Sequence, residues 1–228
     1  MKTAPPHGVR KPWFSWVFKG SACLHFVSVL LILFVLLQMA KQPWLSRSVY
    51  FLEHEKWVML AWVSSFLAVL SFLAIYTILL FALNDRFRII LQWAWLIQLI
   101  GGAVFLLYHL VQMLLFPLMV HLFLQMPTLN LIRHLEEWDS LLIRMVGVFG
   151  PTCWAIGGLI YTAVMFRTRE FSPFLSWWSL LVWTVVLAGV VSFRWMGFHV
   201  SFLQGFAIFI FIPWLWNMGE QVKSGFSN

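Results

Sequence analysis

Long apolar runs broken by short polar clusters dominate the chain of 228 residues. A helix needs about 20 consecutive apolar residues to cross the hydrocarbon layer of a bilayer. Runs of that size, bounded by charge or proline, extend from about Ser21 to Met39, Trp57 to Leu83, just after Arg88 to Phe116, Leu141 to Phe166, Phe174 to Phe193, and Phe198 to Trp216. Pro117 is expected to kink or end the third run, because proline removes a backbone donor. The pattern predicts an all-α integral membrane protein, a six-transmembrane-helix bundle over 21–217, flanked by a cytoplasmic N-terminal segment at 1–20 and a cytoplasmic tail at 218–228.

The connection between the third and fourth runs has its own pattern. Pro117 and Pro127 bracket an apolar stretch, Leu118 to Met126, too short to span and too apolar for water, so it is expected in the interface or tucked against the bundle. Beyond it, Leu131, Leu135, Trp138 and Leu142 recur at helical spacing, while Arg133, Glu137, Ser140 and Arg144 mark the opposite face. This spacing predicts an outer amphipathic helix turning into the fourth span.

Composition agrees with the pattern: 62% of residues are hydrophobic and only 10% charged, against roughly 25% charged in a soluble domain. Lipid is therefore the expected solvent. The net charge of +7 does not indicate nucleic acid, because the basic residues sit at span ends, where they set orientation and meet anionic headgroups. Lys2, Arg10, Lys11, Lys19, Arg86, Arg88, Arg167, Arg169 and Lys223 fall on one side with three acids, a net +6. The other side holds Lys41, Arg47, Lys56, Arg133, Arg144 and Arg194 with five acids, a net +1. The excess of lysine and arginine on the first side predicts both termini in the cytoplasm. Many of the fifteen tryptophans, among them Trp13, Trp16, Trp44, Trp57, Trp138, Trp195, Trp214 and Trp216, fall near span ends and are expected to anchor there.

Polar groups inside hydrocarbon are costly, which makes them candidates for function. Gln98, His109 and Gln112 share a face of the third span, with Gly101 and Gly102 beside it, and this face either packs against another helix or holds a ligand. His109 and His199 form the one intramembrane histidine pair at similar expected depth, the candidate ligands for a metal or haem. No spacing signals a cofactor: His54-Glu55 lacks a second histidine four positions on, where Val58 stands. Serine-hydrolase elbows, Walker loops and Cys-x-x-Cys pairs are also missing from the sequence. Gly147, Gly150, Pro151, Gly157 and Gly158 concentrate in the fourth span, where they either permit close packing or line a cavity.

From Leu135 to Trp183 the chain reads Leu-Glu-Glu-Trp-Asp, Gly-Val-Phe-Gly-Pro, a Gly157-Gly158 pair, Arg167-Thr-Arg169 and Ser172-Pro173 before an apolar span. This order resembles the bacterial six-helix membrane family catalogued as domain of unknown function 4386. The resemblance implies a fold and a bacterial inner (plasma) membrane, with no activity to transfer. The sequence thus points first to a non-catalytic accessory or assembly subunit of a larger membrane complex, whose partners are the bilayer and other membrane subunits. A small-molecule carrier or channel using the polar face of the third span is the alternative, followed by a haem- or metal-binding oxidoreductase using outer-side histidines.

Overall fold

The computed structural model describes residues 13–83, 85–125, 128–168, 171–196 and 202–225. His199, Pro127 and the basic residues Lys2, Arg10, Lys11 and Arg169 lie outside them. Among the described residues every regular element is helical, as a backbone in hydrocarbon requires if it is to satisfy its own hydrogen bonds. The long helices are α1 (Trp13–Ala40), α2 (Trp44–Ala82), α3 (Arg88–Gln125), α4 (Leu129–Met165), α5 (Pro173–Met196) and α6 (Phe202–Gly225). Among the described residues, α1 to α5 are long and apolar enough to cross a membrane. The chain is an integral membrane protein by that measure.

Short connections force consecutive helices to run antiparallel. Each packs chiefly on its neighbours in the chain, and α6 returns to pack on α1, so the helices close a ring. Lys19 of α1 and Glu220 of α6 form an ion pair at the end where the chain enters and leaves, here the terminal end. The opposite end, where α1 passes into α2, is the distal end.

Aromatic and aliphatic side chains from across the ring fill its terminal half: Phe18, Phe72, Tyr76, Tyr161, Trp183, Phe211 and Trp214 are all buried there. Phe72 stacks on Trp154 with ring centroids 4.2 Å apart. A second core at the distal end joins Trp44, Phe51 and Trp62 of α2 to Phe116, Val120 and Phe123 of α3 and Leu135 of α4. Outward-facing residues such as Phe34, Trp93, Leu114 and Leu181 are exposed, the arrangement expected of a surface that meets acyl chains.

Several helices exceed their sequence-based limits. The first begins at Trp13, well before Ser21, and Phe18 and Met218 are buried in one core, so both helix ends pass the expected boundaries at 21 and 217. The second begins at Trp44 behind Pro43 and is bent at His54, whose φ of −123° and ψ of 21° leave the helical region. Pro117 does not end α3, which continues to Gln125. The stretch from Leu118 is thus the last turns of a helix whose Val120 and Phe123 complete the distal core. Trp44 and Trp214 correct the anchoring expectation: both are buried, and Trp214 donates its indole N–H to the Leu175 carbonyl at 3.1 Å.

The amphipathic segment forms as its spacing predicts. Leu129–Arg144 is helical, capped by the Thr128 hydroxyl accepting from the Leu131 N–H at 3.3 Å, and Leu135 is buried while Arg133, Glu137 and Arg144 are exposed. It continues through a π-helical turn, Met145–Phe149, into the apolar part of α4.

Gly158 lets the Trp183 indole of α5 lie directly on α4, since a Cβ there would overlap the indole. Gly158→Ala is therefore expected to cost about 1–3 kcal/mol by overpacking, read as a lower melting temperature in detergent. Gly20→Ala, with open space around it, is expected to leave the melting temperature unchanged or slightly raised.

Candidate functional site

Beside its core of α2 and α3 side chains, the distal half of the ring leaves open space. A cavity of about 1300 Å³ lies against α1, α4 and α5, and its wall includes both π-helical turns, Ile32–Leu36 of α1 and Met145–Phe149 of α4. In each turn a backbone N–H reaches five residues back, Leu37 to the Ile32 carbonyl and Gly150 to the Met145 carbonyl. A π turn adds one residue to the helical repeat and is found often at functional sites. Here α1 and α4 stand three places apart in the ring, so the two wide turns face a common space. Gly150, which closes the second turn, leaves room for the Phe105 ring, since a Cβ there would meet it at 2.8 Å.

Charged groups gather at the outer wall. Arg47, near the start of α2, is only 7% exposed and donates from Nη1 to Asp139 Oδ2 at 2.8 Å. Its guanidinium lies 5.3 Å from the Trp44 ring centroid and 5.2 Å from that of Phe116, adding cation–π attraction to the ion pair. The pair ties the amphipathic segment of α4 to α2. Glu136, Arg144 and Arg194 also line this cavity. By contrast, the ion pair Arg133–Glu137 at 3.2 Å is solvent-exposed on both sides and contributes a few tenths of a kcal/mol at most.

A second, narrower cavity of about 190 Å³ lies deeper. Ile32, His109 and Val146 line both spaces and stand at the throat where the two adjoin. Phe72, Trp154, Trp183 and Phe211 of the aromatic core also line the inner chamber. Its wall carries His25, Ser28 and Ser65. His25 Nδ1 stands 2.8 Å from the Ser21 carbonyl, and the Ser28 and Ser65 hydroxyls are 2.9 Å apart. A carbonyl accepts only, so Nδ1 of His25 carries the proton.

The polar face of the third span divides in two. Gln98 is fully buried at the seam with α4, donating from Nε2 to the Trp154 carbonyl at 3.0 Å, while Trp154 Nε1 donates to the Gln98 carbonyl at 3.2 Å. Gly101 and Gly157 allow this approach: a Cβ on Gly157 would meet Gln98 Cγ at 2.7 Å. His109, three turns on, faces the throat. It is 8% exposed, and its Nδ1 is buried without a hydrogen-bond partner among the described residues. Gln112 is buried one turn further along.

His199 lies outside the described residues, so the His109–His199 pairing has no geometry to report. The histidine that shares the inner chamber with His109 is His25. Among the described residues no three His, Cys, Asp or Glu side chains group as a metal site. Sequence reasoning missed Arg47, Asp139, His25, Ser28 and Ser65. Two spacings carried a signal: Trp44, Arg47, Ser48 and Phe51 at three- and four-residue steps extend α2 toward its N-terminus, and Ser21, His25 and Ser28 mark one face of α1.

Removing one partner of a buried ion pair leaves an uncompensated charge. Asp139→Asn is expected to destabilise the protein by about 3 kcal/mol, seen as a large drop in detergent melting temperature. Glu137→Gln, on the same helix, is expected to change it little. Compared with known proteins, the chain matches no family model, no curated protein and no solved structure.

Proposed function

We propose that this chain is a six-span membrane protein that binds a small molecule in the distal cavity and admits it past His109 to the centre of the ring, as a carrier or ligand-binding protein without catalysis. The observation that carries the reading is the His109 imidazole. It is buried, lines both cavities and has an unmet Nδ1, and an unpaired buried polar group costs about 1–3 kcal/mol. That nitrogen is itself covered, so a turn of the imidazole toward the cavities would bring it to a ligand or water. The paired π turns support the same site.

Six spans are supported by α6, an additional helix of 24 residues, and by the Lys19–Glu220 pair, which joins α1 and α6 at the terminal end. The cytoplasmic placement of both termini rests on the lysine and arginine excess at the terminal end, including Lys19, Arg86, Arg88 and Arg167. A bacterial plasma membrane and membership of the family of domain of unknown function 4386 complete the proposal, on the resemblance of the 135–183 region. An accessory-subunit role rests on short loops, abundant lipid-facing aromatics and absent catalytic motifs; ligand binding stands ahead of it because the cavity gives the polar residues that line it a use.

Val146 tests the reading, since it lines both cavities. In a Cys23→Ser, Cys153→Ala background, Val146→Cys is expected to react with a membrane-impermeant methanethiosulfonate added to the outer face of intact cells. The exposed Leu129→Cys serves as the reactive control. Labelling of Leu129→Cys with none of Val146→Cys would sink the ligand-cavity reading, and labelling of Leu129→Cys only from the cytoplasmic face would reverse the orientation.

A further inference from the structure

Taking the ligand cavity as read above, we infer that its occupant is an acidic amphiphile with a single hydrocarbon chain. The head, a carboxylate or phosphate, would be held by Arg144 and Arg194, and the tail would pass His109 into the inner chamber.

The walls change character with depth. Five charged side chains line the outer cavity. Arg47 and Asp139 neutralise each other. Arg144 of α4 and Arg194 of α5 have no ion pair among the described residues. Glu136 opposes them, so after the internal pair the outer wall keeps two guanidinium groups against one carboxylate. Guanidinium is the side chain best matched to planar carboxylate and to phosphate, through paired N–H donors. Two such groups on different helices can hold a head from two sides.

The inner chamber offers little to a polar ligand. Ser65 donates to the Ala61 carbonyl at 2.8 Å and shares a hydrogen bond with Ser28, and His25 uses Nδ1 on the Ser21 carbonyl. Apart from these groups, the second ring nitrogen of His25 and His109 at the throat, the wall is largely apolar, with Val29, Val69, Phe72, Val182 and Phe211. Its volume is about 190 Å³ beside about 1300 Å³, so the narrow space takes part of a slim tail and the wide one the head with the rest of the chain. His109 stands where the two chemistries meet, lining both spaces.

The probe is cis-parinaric acid, a fluorescent fatty acid, added to the full-length protein in nanodiscs of phosphatidylcholine. Trp154 and Trp183 line the chamber and would transfer excitation to a polyene lodged there. Saturable binding is expected, weakened roughly tenfold or more in the Arg144→Gln, Arg194→Gln double variant, where charge-assisted hydrogen bonds are lost. Ala207→Phe, which fills the chamber wall, is expected to abolish it. Should that variant not fold by its melting curve, Val146→Trp at the throat makes the same test. Oleate and lysophosphatidic acid, as competitors, distinguish a carboxylate from a phosphate head, and displacement by either supports the inference. Equal binding of the parinaric methyl ester, or a signal that does not saturate and is unchanged in the variants, overturns it. If Val146→Cys is labelled from outside but parinaric acid does not bind, the ligand class is wrong and the cavity reading stands.

Discussion

Inside hydrocarbon no water is available to a polar group, so each must find its partner within the protein or bear the cost of having none. The ring of helices is arranged around this constraint. Backbone groups are satisfied along each helix, and side-chain donors are spent on the carbonyls of neighbouring helices. Tyr161 donates its hydroxyl to the Tyr76 carbonyl at 3.1 Å, Trp178 its indole N–H to the Ile210 carbonyl at 2.9 Å, and Trp154 its indole N–H to the Gln98 carbonyl. The Thr162 and Ser179 hydroxyls, 2.6 Å apart, join α4 to α5. These bonds hold helices that apolar packing alone would leave free to slide, because lipid tails are as apolar as the side chains they would replace.

Glycines decide how close the helices come, and α4 uses them differently at two depths. Gly157 and Gly158 admit Gln98 and the Trp183 ring, closing the terminal half around an aromatic core. Gly147 and Gly150 admit the rings of Phe193 and Phe105 in and beside a π turn. There the helix is wider and the space in front of it stays open. The same residue type therefore produces a packed seam at one depth and a cavity wall at another, according to the helix geometry around it.

The Arg47–Asp139 pair connects this cavity to the amphipathic segment. Leu135 anchors the segment in the distal core, Asp139 meets Arg47 one turn on, and Arg144 reaches the cavity wall just before the π turn. A surface helix thus becomes part of the cavity mouth. His109 is one of several buried side chains with a polar atom left unpaired among the described residues, beside Gln98, Gln112, Tyr76 and Arg47, and the one that lines both the charged and the apolar chamber.

Helical periodicity and apolar run length were enough to determine a membrane-embedded all-helical chain, the amphipathic segment after Thr128 and the inward face bearing Gln98, His109 and Gln112, because these depend on residues close together in the sequence. Helix limits were less legible: Arg47 in α2 and the continuation of α3 through Pro117 contradict local charge and proline rules, and distal-core burial and the Asp139 partner accompany both. Which of the three polar residues packs and which faces a space was decided only in three dimensions. Gln98 meets the Trp154 carbonyl and Gly157 from a helix more than fifty residues away, whereas His109 meets the space between two π turns. Periodicity places a side chain on a face, but the partner opposite that face comes from distant chain, and only tertiary packing supplies it.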